Sequence, residues 1–162
     1  MLDAQVEDML SNLQPGGEVG VSPWLTVSQA IIDDFGHATL DPDPMHMDPE
    51  WAAAGSPFHG TIAFGFLTIS LLTHLLHGSM GVRGAHDPRR SGYYLNYGFD
   101  RIRLVAPVRT GRRVRGRFKL LERKADESGR LVTTFDCRIE IEGETRPALV
   151  AQWLTIWVPP ST

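Results

Sequence analysis

Asp41, Asp43, His46 and Asp48 fall within eight residues of the segment ATLDPDPMHMDPEW, where Pro42, Pro44 and Pro49 stiffen the chain. Several chemistries use these residue types, and position counting separates them. A calcium loop that begins D-x-D needs glycine at its sixth position and a bidentate Glu at its twelfth. Counted from Asp41, those positions are His46 and Ala52. A zinc or iron site could draw on His37, Asp41, His46, His59, His74 or His77. His74 and His77 are three apart and share a helix face, but no Glu completes an H-E-x-x-H pattern and no cysteine pair exists. Near a helix C-terminus, such imidazoles also complement the dipole. Covalent catalysis finds no G-x-S-x-G elbow, and Cys137, the only cysteine, sits in a strand-like pattern as a core residue. No glycine-rich phosphate loop follows a strand.

General acid–base chemistry remains. Asp41 and His46 lie five apart in a loop held by prolines, and a carboxylate and an imidazole sharing one water make a base and an acid near neutral pH. Downstream, HGTIAFGF places Gly60 and Gly65 around the start of an apolar helix, where backbone N–H groups can hold an oxyanion. The same residues also permit a plainer arrangement, with Asp41 capping a turn and His46 in solvent.

Elements must position these groups. TVSQAIIDDFGHAT predicts a helix capped by Ser28, with Ile31, Ile32 and Phe35 on one face and Asp41 to Pro44 ending it. DPEWAAAG predicts a short helix with Asp48 as cap, Pro49 at its first position and Gly55 at its stop. TIAFGFLTISLLTHLLHG predicts a helix from Thr61 to Gly78, apolar nearly all round and therefore buried. At roughly 1.5 Å per residue it would be about 25 Å long. Beyond a Gly-, Arg- and Pro-rich connection over 79–92 the texture becomes strand-like. Val114, Gly116, Phe118 and Leu120 alternate with Arg113, Arg115, Arg117 and Lys119, and Leu131 to Ile139 alternate likewise. DESG and EGET mark turns, and a further strand is expected near GEVGVSPWLTV. Residues 1–20 are acidic, with a Gly-Gly turn at 16 and 17 and a frayed helix expected at the start. Helices first and antiparallel strands after argue for an α+β chain in which a curled sheet covers one buried helix.

Composition bounds the rest. A chain of 162 residues is expected to form one domain over 1–162 with a sizeable core. One cysteine and an acidic start without a basic n-region fit a reducing, cytoplasmic setting, and the run Ile62 to Leu76 is too short and too polar to span a bilayer. The net charge of −3 hides an asymmetry: residues 1–82 hold ten acids and no Lys or Arg, residues 83–162 nine acids and all sixteen bases. Either the second half offers cations to a phosphorylated ligand, or the charges neutralise one another across the fold.

The stretch DPDPMHMDPEWAAAGSPFHGTIAFGFLTISLL resembles the MaoC-like dehydratases, the (R)-specific enoyl-CoA hydratases, and within them the NodN-like branch. Their motif is D-x-N-P-x-H-x-D, then an Ala-rich turn and I-A-H-G before a central helix. NYGFDRIRLVAPVRTGRRVRG resembles the branch's second block, so the likeness covers roughly residues 25 to 120. It implies a hotdog fold, a long central helix wrapped by an antiparallel sheet, and reversible addition of water to a trans-2-enoyl thioester giving the (R)-3-hydroxyacyl product. Carried over, Asp41 is the base that activates water and His46 shares that water and assists proton transfer to C2. The Gly65 N–H polarises the thioester carbonyl, and Thr73 supplies a small hydroxyl supporting Asp41. Two positions depart from the pattern: Asp43 replaces the Asn before Pro, and Phe64 replaces the His before the helix glycine. Asn96 and Tyr97 are implied to stand near the site or a dimer contact. Arg83, Arg89, Arg90, Arg101 and Arg103 are candidates for the phosphates of coenzyme A or an acyl carrier. Phe64, Phe66 and Leu67 suggest a short or medium acyl chain. The likeness implies a homodimer and a coenzyme A thioester as substrate, with no metal or other cofactor, no nucleic acid and no membrane partner. Two alternatives stand beside the hydratase. One is a hotdog thioesterase, whose acid on the central helix is missing from Thr61 to His77; the other is a non-catalytic acyl-CoA-binding protein.

Overall fold

The computed structural model describes residues 10–82 and 92–159. Arg83, Arg89 and Arg90 lie outside these residues, as does most of the helix expected at the N-terminus. Within them the chain runs β1 (Glu18–Val21), β2 (Leu25–Thr26), α1 (Gln29–Thr39), α2 (Pro44–Met47), α3 (Pro49–Gly55), α4 (Gly65–Ser79), β3 (Tyr93–Leu104), β4 (Arg113–Ala125), β5 (Leu131–Ile141) and β6 (Leu149–Val158).

Local rules account for several ends. The Ser28 hydroxyl accepts the Ile31 N–H at 3.3 Å and caps α1. Asp48 accepts the Trp51 N–H at 2.9 Å and caps α3, with Pro49 at its first position, where no N–H is needed. The start of α4 differs from expectation. Its first residue is Gly65, not Thr61, because residues 61–63 are extended and pair with the β3–β4 connection. The Ala63 N–H bonds to the Val108 carbonyl at 2.8 Å, and Ile62 bridges Arg109. The Thr61 hydroxyl is committed elsewhere and caps nothing.

The sheet is antiparallel, with strand order β1-β4-β5-β6-β3 and β2 beside β4. The period-two pattern of β4 and β5 turns Val114, Phe118 and Leu120 inward with Phe135, Cys137 and Ile139, and the register sets Phe118 opposite Cys137. Leu67, Leu72, Leu75 and Leu76 of α4 fill the concave side. The helix therefore lies within the sheet's curl, packed mainly on β4 and β1, which is the hotdog arrangement. Cys137 belongs to this core. Burial, reinforced by the neighbouring Asp136 charge, pushes its thiol far above the ordinary range and leaves it inert. No helix among the described residues is long and apolar enough to cross a membrane.

Sequence neighbours do not all pair. Among the described residues β3 is joined to β6 alone and ends the sheet, although β4 follows it in the chain. Its outward residues are large and apolar: Tyr93, Leu95, Tyr97 and Phe99 are all exposed.

The basic second half is largely neutralised within itself. Arg113 pairs with Glu142, Arg115 with Glu140 at 2.7 Å and Arg112 with Glu144 at 3.5 Å across β4 and β5 and the turn after β5. Arg117 adds Glu18 at 2.7 Å, a pair that joins the two halves. The Arg115 guanidinium also lies 4.5 Å from the centre of the Trp24 ring.

Candidate active site

The DPDPMH segment is not a plain loop. Residues 44–47 form one helical turn, and Asp43 builds it. The Asp43 carboxylate accepts the Met45 N–H at 2.8 Å, while its carbonyl accepts the N–H groups of His46 and Met47 at 3.0 Å each. Pro44 takes the first helical position. The departure from the family's Asn is thus conservative in structure, since Asn and Asp cap helices about equally well.

This turn carries His46, and three contacts fix it from different directions. The Ile62 N–H donates to the Met45 carbonyl at 3.3 Å, and the His46 Nδ1 lies 2.7 Å from the Ile62 carbonyl oxygen. A carbonyl only accepts, so Nδ1 carries the proton and Nε2 is left as the acceptor that can take or return one. From α1, the Gln29 side-chain amide donates to the His46 carbonyl at 2.7 Å and to Asp33 at 2.7 Å. Its oxygen accepts the Thr61 hydroxyl at 2.6 Å, and Thr61 meets Thr110 at 2.7 Å. Gln29 therefore ties α1, the His46 turn and the extended segment before α4 together. Gly36 makes the close approach possible, because a Cβ there would collide with the Met47 sulfur and crowd the Asp41 carbonyl at 3.1 Å.

Phe64 is buried and packs its ring on the His46 imidazole, centroids 3.9 Å apart, and on Phe35 at 5.4 Å. It supports the imidazole from the core and does not line the cavity in front of it. That cavity, about 240 Å³, is bounded by His46, Gly65 and Thr68 on one side and by Leu104, Ala106 and Val108 on the other. No side chain caps α4, so the first amides of the helix keep their hydrogens free of side-chain acceptors and present the positive end of the dipole there. Gly65 lies so close to Leu104 that a Cβ would strike its side chain. The Thr68 hydroxyl, buried one turn on, bonds back to the Phe64 carbonyl at 3.3 Å.

The structure thus brings together His46 and Gly65 but not the whole expected set. Asp41 follows Leu40, which ends α1 in the left-handed region at φ 58°, and its N–H bonds to the Gly36 carbonyl at 3.0 Å. Its carboxylate is exposed, does not line the cavity, and pairs with no other described residue. Thr73 lies eight residues beyond Gly65, about 12 Å along the helix, and does not line the His46 cavity. It lines a second cavity together with Asn96. Arg101 and Arg103 are exposed on β3, and the Arg103 guanidinium reaches only the carbonyl of Ile102. Among the described residues no three His, Cys, Asp or Glu side chains come together as a metal site would require. Gln29, Thr61, Thr68 and Thr110 escape sequence reasoning. Only Thr68 leaves a local trace, a hydroxyl one turn after the helix glycine; Gln29 is 17 residues from His46 and no spacing rule links them.

Comparison with known proteins gives this geometry a lineage. The family model described as "MaoC like domain" matches residues 11–137. "Nodulation protein N" of Rhizobium leguminosarum bv. viciae is 50% identical over 141 residues, 87% of this chain and 84% of that protein. "3-hydroxyacyl-thioester dehydratase Z" of Mycobacterium tuberculosis is 38% identical over 143 residues, 88% of this chain and 90% of that protein. Among solved structures, the (R)-hydratase from A. caviae involved in PHA biosynthesis superimposes with a TM-score of 0.68 at 22% identity, over 89% of this chain and 96% of that one.

Proposed function

The chain belongs to the MaoC-like domain family, and from that premise we propose that it adds water reversibly to a trans-2-enoyl thioester of coenzyme A or an acyl carrier, giving the (R)-3-hydroxyacyl thioester. The observation that carries the reading is the His46 imidazole, with Nδ1 anchored on the Ile62 carbonyl and its ring held against Phe64, in a cavity shared with the uncapped start of α4. In this reading the exposed Asp41 carboxylate, which stands outside the cavity walls, turns toward His46 when substrate binds, and the two hold the attacking water. As the water oxygen bonds to C3, the carboxylate takes one of its protons, while the other hydrogen stays on the oxygen and donates a hydrogen bond to Nε2 of His46. The electron pair of the double bond moves toward the thioester oxygen, where the Gly65 N–H and the helix dipole stabilise the developing charge. The proton then returns from the pair to C2, so that hydroxyl and hydrogen both come from one water. Elimination runs the same path backward.

A second copy belongs to this reading. An unpaired strand edge carrying Tyr93, Leu95, Tyr97 and Phe99 is a template for another strand, and a homodimer pairing β3 with β3 would cover it. Sedimentation of the full chain tests this: dimer mass is expected, and Leu95→Lys should give monomers.

The activity is tested with crotonyl-CoA, following loss of the conjugated enoyl absorbance and release of free thiol in parallel. Absorbance loss without thiol is the expected result. Thiol release would instead indicate the thioesterase, against which the absence of any acid in Gly65–Ser79 already speaks. Binding without either change would indicate a non-catalytic acyl-CoA-binding protein.

A further inference from the structure

α4 packs on β4 and β1 and stands further from β6 and β3, so a seam runs along its other side. The His46 cavity occupies one end of that seam, where Gly65 meets Leu104. A second cavity, about 100 Å³, occupies the other end, between Leu76 of α4, Tyr94 of β3 and a wall formed by Phe135, Trp153 and Trp157. It is smaller than the roughly 150 Å³ void that accommodates benzene in an engineered core, so it suits the end of a chain better than a whole ligand.

One feature of this largely apolar cavity, which Thr73, His77 and Asn96 also line, does not fit hydrocarbon. Thr155 of β6 lines it and is 1% exposed, and its cross-strand partner Thr133 of β5 is 0% exposed. Neither hydroxyl has a hydrogen-bond partner among the described residues. Buried hydroxyls without partners are rare and costly, and valine has nearly the same shape without that cost. Two such groups side by side, one of them facing a cavity, point to a partner that arrives with a ligand.

Gly65 and Thr73, whose side chain lies at the second cavity, are eight residues apart, about 12 Å along the helix. A medium-length acyl chain whose thioester carbonyl sits at Gly65 spans that distance. We propose that the second cavity receives the far end of the acyl group and that this end carries an oxygen, as a hydroxyl or oxo group, which pairs with Thr155, the hydroxyl that lines the cavity, and through it with the neighbouring Thr133. The substrate class is therefore a distally oxygenated enoyl thioester, an inference that rests on the hydratase reading above.

The test compares kcat/KM of the full-length protein for trans-2-decenoyl-CoA and ω-hydroxy-trans-2-decenoyl-CoA, with crotonyl-CoA as control. A site whose polar groups are left unpaired by the plain chain should favour the hydroxylated one by about tenfold or more. Thr155→Val should bring the ratio close to one and raise the melting temperature of the free protein; Thr133→Val provides a second variant with the same expectation. Hydration of crotonyl-CoA together with a wild-type ratio near one, or a ratio that Thr155→Val leaves unchanged, overturns the inference and spares the hydratase reading. A buried water that satisfies both hydroxyls produces that same result. Failure to hydrate any of the three thioesters sinks the hydratase reading and this inference with it.

Discussion

Replacing Asp43 by Ala and by Asn tests how the His46 turn is built. If Asp43 acts as a cap, Ala removes the acceptor of the Met45 N–H and Asn keeps it. Loss of a helix cap costs about 1 kcal/mol, within a range of roughly 0.5–2. The upper half of that range is expected here, because α2 has only four residues, a single turn. In a chain of this size each kcal/mol lowers the melting temperature by about 2–4 °C. Urea denaturation should show the midpoint of Asp43→Ala shifted down with the slope unchanged, and Asp43→Asn within about 0.5 kcal/mol of the wild type. The same turn orients His46, so kcat for an enoyl thioester should fall in the Ala variant and survive in the Asn variant. Equal loss of stability and rate in both variants would refute the cap and make the negative charge of Asp43 the property that matters.

Other expectations follow from the same geometry. Gly65→Ala should fold with unchanged or slightly higher stability, since alanine favours helix, yet its Cβ drives Leu104 into the His46 cavity; Michaelis kinetics should show a rise in KM and a lower kcat. Gln29→Leu removes the donor to the His46 carbonyl and the acceptor of Thr61, for about 1–3 kcal/mol in denaturant and a lower kcat. Burial alone would raise the Glu140 pKa, but hydrogen bonds and charges from Arg115 and Arg117 outweigh it and hold the carboxyl below its ordinary range. Its contribution is thus complete above the ordinary carboxylate pKa and is lost as pH falls through the lower folded value. Glu140→Gln should lower the denaturation midpoint at neutral pH and flatten its decline in acid; an identical acid limb in variant and wild type would contradict the assignment.

Much of the fold was readable because it follows local rules. Ser28, Asp48 and Pro49 announce their helices through backbone groups two or three residues away, and β4 and β5 declare their faces by alternation. The likeness to the MaoC-like family placed His46 and Gly65, which one cavity joins. What stayed hidden depends on distant partners. Thr61 resembles a helix cap, but Gln29 and Thr110 claim its hydroxyl and residues 62 and 63 pair with 108 and 109. The edge position of β3 follows from its pairing with β6, whose residues lie 45 to 65 positions further on in the chain. Asp43 looked troublesome when read as a charge and is simple when read as a cap. Thr73 and Asn96 were grouped with His46 by likeness, while the structure places them at the other cavity.

The central claim rests on the Asp41 and His46 pair acting on one water. Hydration of crotonyl-CoA by the wild type, Asp41→Asn and His46→Gln, each first shown to fold by its denaturation midpoint, tests it most directly. Enoyl absorbance should be lost without thiol release in the wild type, and the rate should be at least about a hundredfold lower in both variants. Wild-type rates in either folded variant, or absorbance loss matched by free thiol, would contradict it.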